Sequence, residues 1–93
     1  MKVVVFGGGG FLGQALLPLL ATEGIQVHDV RRSTADVTRD LGHLKLEADI
    51  VVNLAARVPT GPNTLNDAEA MFAVNAIGAA NVARWAEIGR AHV

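Results

Sequence analysis

Four consecutive glycines, Gly7 to Gly10, separate an apolar run from a leucine-rich one in "VVVFGGGGFLGQALLPLL", residues 3–20. Glycine loses more backbone freedom on folding than any other residue, so such a run is costly unless the chain needs what glycine permits. Before it, Lys2 to Phe6 is a continuous β-branched and aromatic run, the pattern of a strand buried on both faces of a parallel sheet. After it, Phe11 to Thr22 has helical periodicity, with Ala15, Leu16, Leu19 and Leu20 expected on one side. Pro18 lacks the N–H that would reach the carbonyl of Gln14, which predicts a bend. Gly24 is placed to cap the helix.

The remaining chain alternates in the same way. "IQVHDV" (25–30) reads as a second strand and "ADIVVNLAA" (48–56) as a further buried one. "PTGPNT" (59–64) has the Pro, Gly and Asn content of a loop. A long helix is expected from Asp67 to Trp85, with Met71, Val74, Ile77, Ala80 and Val82 as its apolar residues. Strand, helix, strand, strand, helix is the opening of a doubly wound α/β domain with a parallel sheet.

Bulk properties exclude several classes. Ninety-three residues allow one small domain. A net charge of −1 with scattered Lys and Arg shows no basic stripe for nucleic acid. No run approaches the ~20 apolar residues of a membrane span, and the N-terminal apolar stretch is broken by the glycines. The absence of cysteine rules out disulfides, zinc–thiolate sites and thiol nucleophiles, and fits a cytoplasmic protein. His28 and His43 have no Ser or Cys with an acid arranged for nucleophilic catalysis.

The glycines make sense where a strand turns sharply into a helix. A helix N-terminus carries unpaired N–H groups and a partial positive charge, and so binds phosphate. Gly8-x-Gly10-x-x-Gly13 fits the general dinucleotide spacing, and Gly7-x-x-Gly10-x-x-Gly13 fits a wider version. Gln14 follows Gly13, so the Lys-Ser/Thr pair of a nucleoside-triphosphate loop is missing. A purely structural flexible turn is the competing reading.

"VVVFGGGGFLGQALL", "DIVVNLAA" and "VNAIGAANV" together resemble the extended short-chain dehydrogenase/reductase family, NAD(P)-dependent epimerases, dehydratases and reductases. The resemblance implies a Rossmann-like doubly wound parallel sheet, truncated to its N-terminal half over residues 1–86. It also implies that Gly7, Gly10 and Gly13 form the turn, and that backbone at Phe11 and Leu12 meets the pyrophosphate. Asp36 and Val37 would frame the adenine. Leu54, Ala55 and Ala56 would lie along the cofactor, and Asn75 would stand near the nicotinamide side. For Asn75, a bond to nearby backbone is the structural alternative; for the alanines it is close helix–strand packing.

The residue after the second strand reads the 2′ position: an acid accepts from a ribose hydroxyl, whereas Arg pairs with a 2′-phosphate. Counting from Gly24 puts Arg31 there, followed by Arg32, which favours NADP over NAD. Asp29, on the same strand face, would restore an acid if the register shifted, and both arginines could instead be solvated at a strand end. Only Ser33, Thr34 and Ala35 separate Arg32 from Asp36, leaving no room there for a crossover helix.

The family's proton transfer uses a Tyr-x-x-x-Lys pair with a Ser or Thr. This chain has no tyrosine, so as written it is not expected to catalyse the family reaction. The family resemblance implies a small-molecule substrate, a nucleotide sugar or a similar carbonyl or alcohol compound, for the full-length relative. A non-catalytic NAD(P)-binding sensor or interaction module is the alternative, and a flavin dinucleotide enzyme a third. The final "EIGRAHV" (87–93) matches the translation of a common sequencing adapter and is expected to be a non-native tail; an ordinary helix C-terminus is the other reading.

Overall fold

The computed structural model describes residues 1–57 and 65–88. Strand β1 (Lys2–Phe6) leads through the glycines to helix α1 (Phe11–Thr22) and then strand β2 (Gln26–Val30). A connection without regular secondary structure covers residues 31–49, and strand β3 (Ile50–Asn53) follows. Helices α2 (Leu65–Phe72) and α3 (Ala79–Glu87) are joined without a break by a π-helical segment, Ala73–Gly78. The expected loop at 59–64 and all but the first two residues of the 87–93 tail lie outside the described residues.

The sheet is parallel, in the order β2-β1-β3. β1 is central, with Val5 opposite Asp29 on one side and Val52 on the other. Val3, Val4, Val5 and Phe6 are all buried, as the β-branched run anticipated. The chain moves from β1 to β2 and then returns past β1 to β3. Right-handed crossovers in these opposite directions put α1 and the returning connection on opposite faces, which is the doubly wound arrangement.

On one face, Val4 and Phe6 pack with Val30, Val37, Leu41, Leu44, Val82 and Trp85. Trp85 meets Phe6 edge-on with ring centroids 5.5 Å apart, and its indole N–H donates to the Leu44 carbonyl at 3.0 Å. The connection 31–49 thus does the covering a crossover helix would do, using Val37, Leu41, Leu44 and Ala48 as separate anchors. The β3 register is fixed at its start, where the Lys2 amide donates to the Asp49 carboxylate and the Asp49 amide to the Lys2 carbonyl.

Several expectations need correction. In α1 the inward residues are Gly13, which is buried, and Leu16, Leu17 and Leu20, which are half-buried, whereas Ala15 and Leu19 face solvent. Glycine carries no hydrophobic signal, so the pattern read from the leucines was rotated. In the long helix Val82 is buried and Met71 and Val74 are half-buried, in keeping with its apolar set, but Ile77 and Ala80 are exposed and Gly78, Trp85 and Ala86 take the other buried places. β3 has four residues rather than the nine of 48–56, because the chain leaves the sheet after Leu54 donates to the Phe6 carbonyl at 2.7 Å. β2 begins at Gln26, one residue after Ile25, whose amide is held by the Leu20 carbonyl at the end of α1. Gly24, with φ +73°, follows the α1 cap as expected.

Candidate functional site

The C-terminal ends of β1, β2 and β3 open into one cleft of about 380 Å³, ample for a nucleoside-sized group. Gly7 and Val30 form its floor, Arg32, Asp36 and Val37 one wall, and Ala55, Ala56 and Arg57 the other. Ala73 and Val74 of the π segment close it from the side. Six sequence-derived candidates, Gly7, Arg32, Asp36, Val37, Ala55 and Ala56, therefore meet around one space. Gly10, Phe11, Leu12, Gly13, Arg31, Leu54 and Asn75 lie outside that lining.

The glycine turn stands beside the cleft. Gly7 has φ +79° and its absent side chain would lie 2.5 Å from the Ala55 amide nitrogen, so the turn and the β3 end touch through it. Gly13 presses against the Gly8 backbone, where any β-carbon would overlap the Gly8 carbonyl. Gly10 differs from both. As the N-cap of α1 it would place a β-carbon 3.6 Å from the Gly7 carbonyl oxygen, an ordinary contact. Nothing within the described chain excludes a side chain there, whereas a group seated on the helix end would. The Phe11, Leu12 and Gly13 amides take no hydrogen-bond acceptor among the described residues, and no acidic residue stands in the first turn of α1. Phe11 is 91% exposed and Leu12 65%. Unpaired amides at an uncapped helix start favour an anion.

The glycines outside the wider fingerprint also have neighbours. Gly8 lies against the Asp29 carboxylate and Gly9 against the Arg31 guanidinium, where a β-carbon would be 3.1 Å from one terminal nitrogen. Arg31 Nε donates to Asp29 Oδ2 at 2.7 Å. Asp29 Oδ1 is buried without a hydrogen-bond partner among the described residues. The pair therefore folds over the glycine turn from the end of β2, a packing that the sequence spacing did not reveal.

In the connection after β2, Asp36 closes a small turn by accepting from the Thr38 amide at 2.9 Å and the Thr38 hydroxyl at 2.7 Å. Those bonds, with lesser help from Arg32 and Arg39 and against partial burial, hold its carboxyl below the ordinary value. Arg32 approaches the same carboxylate at 3.8 Å but is largely exposed, so that pair contributes little.

Asn75 lies in the π segment, and both of its side-chain polar atoms engage one residue. The Arg57 amide donates to its Oδ1 at 2.8 Å, and its Nδ2 donates to the Arg57 carbonyl at 2.9 Å. The helix thereby holds the chain just after β3. Arg57 itself approaches Asp67 at 3.6 Å. Asn81 was not singled out from the sequence, yet its Nδ2 donates to the carbonyls of Val37 at 2.8 Å and Arg39 at 3.2 Å. The only sequence cue was its place in the quoted "VNAIGAANV", six residues after Asn75. Among the described residues no cluster of His, Cys, Asp or Glu could hold a metal ion, and no helix is long and apolar enough to cross a membrane.

A solved dTDP-4-dehydrorhamnose reductase from Clostridium acetobutylicum has the same architecture, with a TM-score of 0.77 and 25% sequence identity. The match covers 94% of this chain and 32% of that one, so the chain spans about a third of the reductase's length. No curated protein sequence gives a significant match. The family model described as "NAD dependent epimerase/dehydratase family" matches residues 3–92. With the parallel sheet, the glycine turn and the cleft at the strand ends, that match identifies the chain as a member of the NAD dependent epimerase/dehydratase family.

Proposed function

We propose that residues 1–86 are the coenzyme-binding N-terminal part of an NAD(P)-dependent enzyme that transforms a nucleotide sugar or a similar carbonyl or alcohol substrate, with NADP as the preferred coenzyme. The observation that carries this reading is the uncapped start of α1. Three amides without an acceptor among the described residues stand there beside Gly10, which no neighbour in the described chain requires to be glycine. The amides of Phe11 and Leu12 would hold the pyrophosphate, with Gly10 leaving room for its approach. The Asp36–Val37 wall would meet the adenine, and Ala55 and Ala56 would let the coenzyme lie close to the end of β3.

NADP is favoured because two arginines follow β2. Arg31 is held over the turn by Asp29 through Nε, and its terminal guanidinium nitrogens, which take no hydrogen-bond acceptor among the described residues, would pair with a 2′-phosphate. The nicotinamide coenzyme supplies hydride transfer when bound. The chain's own residues bind and orient it, and with no tyrosine present they do not supply the phenol expected for proton transfer. Asn75, spent on the Arg57 backbone, acts in this reading by fixing the loop after β3.

Calorimetric titration of the chain with NADPH, NADH and FAD tests the proposal. NADPH should bind at least about tenfold more tightly than NADH, since a charge-assisted phosphate contact is worth that much, and FAD should bind more weakly than either. Equal binding of NADH and NADPH would remove the NADP assignment, and no binding of any dinucleotide would remove the function.

A further inference from the structure

The helical segment from Ala73 to Glu87 reaches two loops that are remote from each other in sequence. Asn75 holds the loop after β3, and Asn81 holds the connection after β2 by donating to the carbonyls of Val37 and Arg39. Both loops line the same cleft, one following β2 and the other β3, the strands that flank β1. Between the two asparagines lies Gly78, and the space its missing side chain leaves is filled by Val37. A β-carbon there would be 2.7 Å from Val37 Cγ2.

We infer that Asn81 is a positioning residue for coenzyme recognition, holding the Asp36–Thr38 wall in the shape that receives the adenosine end. This rests on the coenzyme-binding reading above and adds to it a residue outside that cleft's lining. The argument is one of preorganisation. The connection 31–49 has no helix or strand to fix it. Its local order around Val37 comes from the Asp36–Thr38 turn, from the Val37 side chain seated on Gly78, and from the two bonds of Asn81. A loop that must be ordered by its ligand binds it more weakly than one already in place. An amide is suited to the task because one NH₂ group donates two hydrogens, one to each carbonyl. Aspartate at the same position has the same shape but would set oxygen against oxygen.

Asn81→Asp and Asn81→Ser variants of the chain are titrated with NADPH, 2′,5′-ADP and inorganic pyrophosphate, at a temperature where circular dichroism shows each fully folded. Amide hydrogen exchange is followed alongside. NADPH and 2′,5′-ADP affinity should fall at least about tenfold in Asn81→Asp, from lost preorganisation. Pyrophosphate, which needs only the α1 start, should bind as in the wild type. Exchange should quicken at Val37 to Arg39 while the β1 amides stay protected. Gly78→Ala, which displaces Val37 from the other side, should reproduce the selective loss, and serves if the Asn81 variants do not fold. Unchanged 2′,5′-ADP affinity, or an equal loss for pyrophosphate, would overturn the inference. Failure of the wild type to bind either NADPH or 2′,5′-ADP would instead overturn the coenzyme reading beneath it.

Discussion

The side-chain amide of Asn75 and the backbone of Arg57 bond reciprocally, at 2.8 and 2.9 Å, across 18 residues of chain. The asparagine lies in the π turn whose Ala73 and Val74 line the cleft, and π segments in helices occur often at functional sites. Asn75→Ala removes both bonds. At about 1 kcal/mol net for each, the variant should lose about 1–2 kcal/mol in urea denaturation. It should also bind NADPH more weakly, because the loop carrying Ala56 and Arg57 is released.

Gly10 and Gly13 belong to the same fingerprint but answer to different neighbours. Gly13→Ala drives a β-carbon into the Gly8 backbone, and overpacking of this kind against main chain should cost about 3 kcal/mol. Gly10→Ala meets only an ordinary contact with the Gly7 carbonyl, so stability should stay within about 1 kcal/mol of wild type. Its NADPH affinity should nevertheless fall at least about tenfold, because the methyl group occupies the space a pyrophosphate needs. Thermal melts paired with titrations separate the two effects; a Gly10→Ala chain that binds like wild type would contradict the phosphate role of the turn.

Arg31 is held by Asp29 over the glycine turn. Arg31→Ala should reduce NADPH affinity by roughly 10- to 100-fold, the range for losing a charge-assisted hydrogen bond, and should leave NADH affinity within about twofold if the arginine reads only the 2′-phosphate. Titration at two salt concentrations provides a second check, since the NADPH preference should shrink as ionic strength rises.

Asp36 makes stability depend on acid. Its carboxyl titrates below the ordinary 3.8, chiefly because the Thr38 amide and hydroxyl donate to its charged form. A folded value below the unfolded one stabilises the fold fully above 3.8, and that stabilisation is lost as pH falls through the lower folded value. Asp36→Asn should therefore flatten the acid limb of the stability curve, measured as the urea midpoint against pH. An acid limb identical to wild type would show that the turn does not hold the charged carboxylate.

What the sequence determined by itself was local. The β-branched run of β1, the glycine spacing and the Gly24 cap act over a few residues, so the strand–turn–helix was legible, as was the doubly wound parallel order. The tertiary structure decided whatever depends on distant neighbours. Gly78 is buried because Val37 occupies its space, Gly8 and Gly9 are small because Asp29 and Arg31 lie on them, and Asn81 matters because its carbonyl partners are 42 and 44 residues away. Hydrophobic periodicity records which side chains avoid water. It carries no trace of a glycine that makes room or an amide that bridges two loops, and those contacts form only once the sheet has brought the strand ends together.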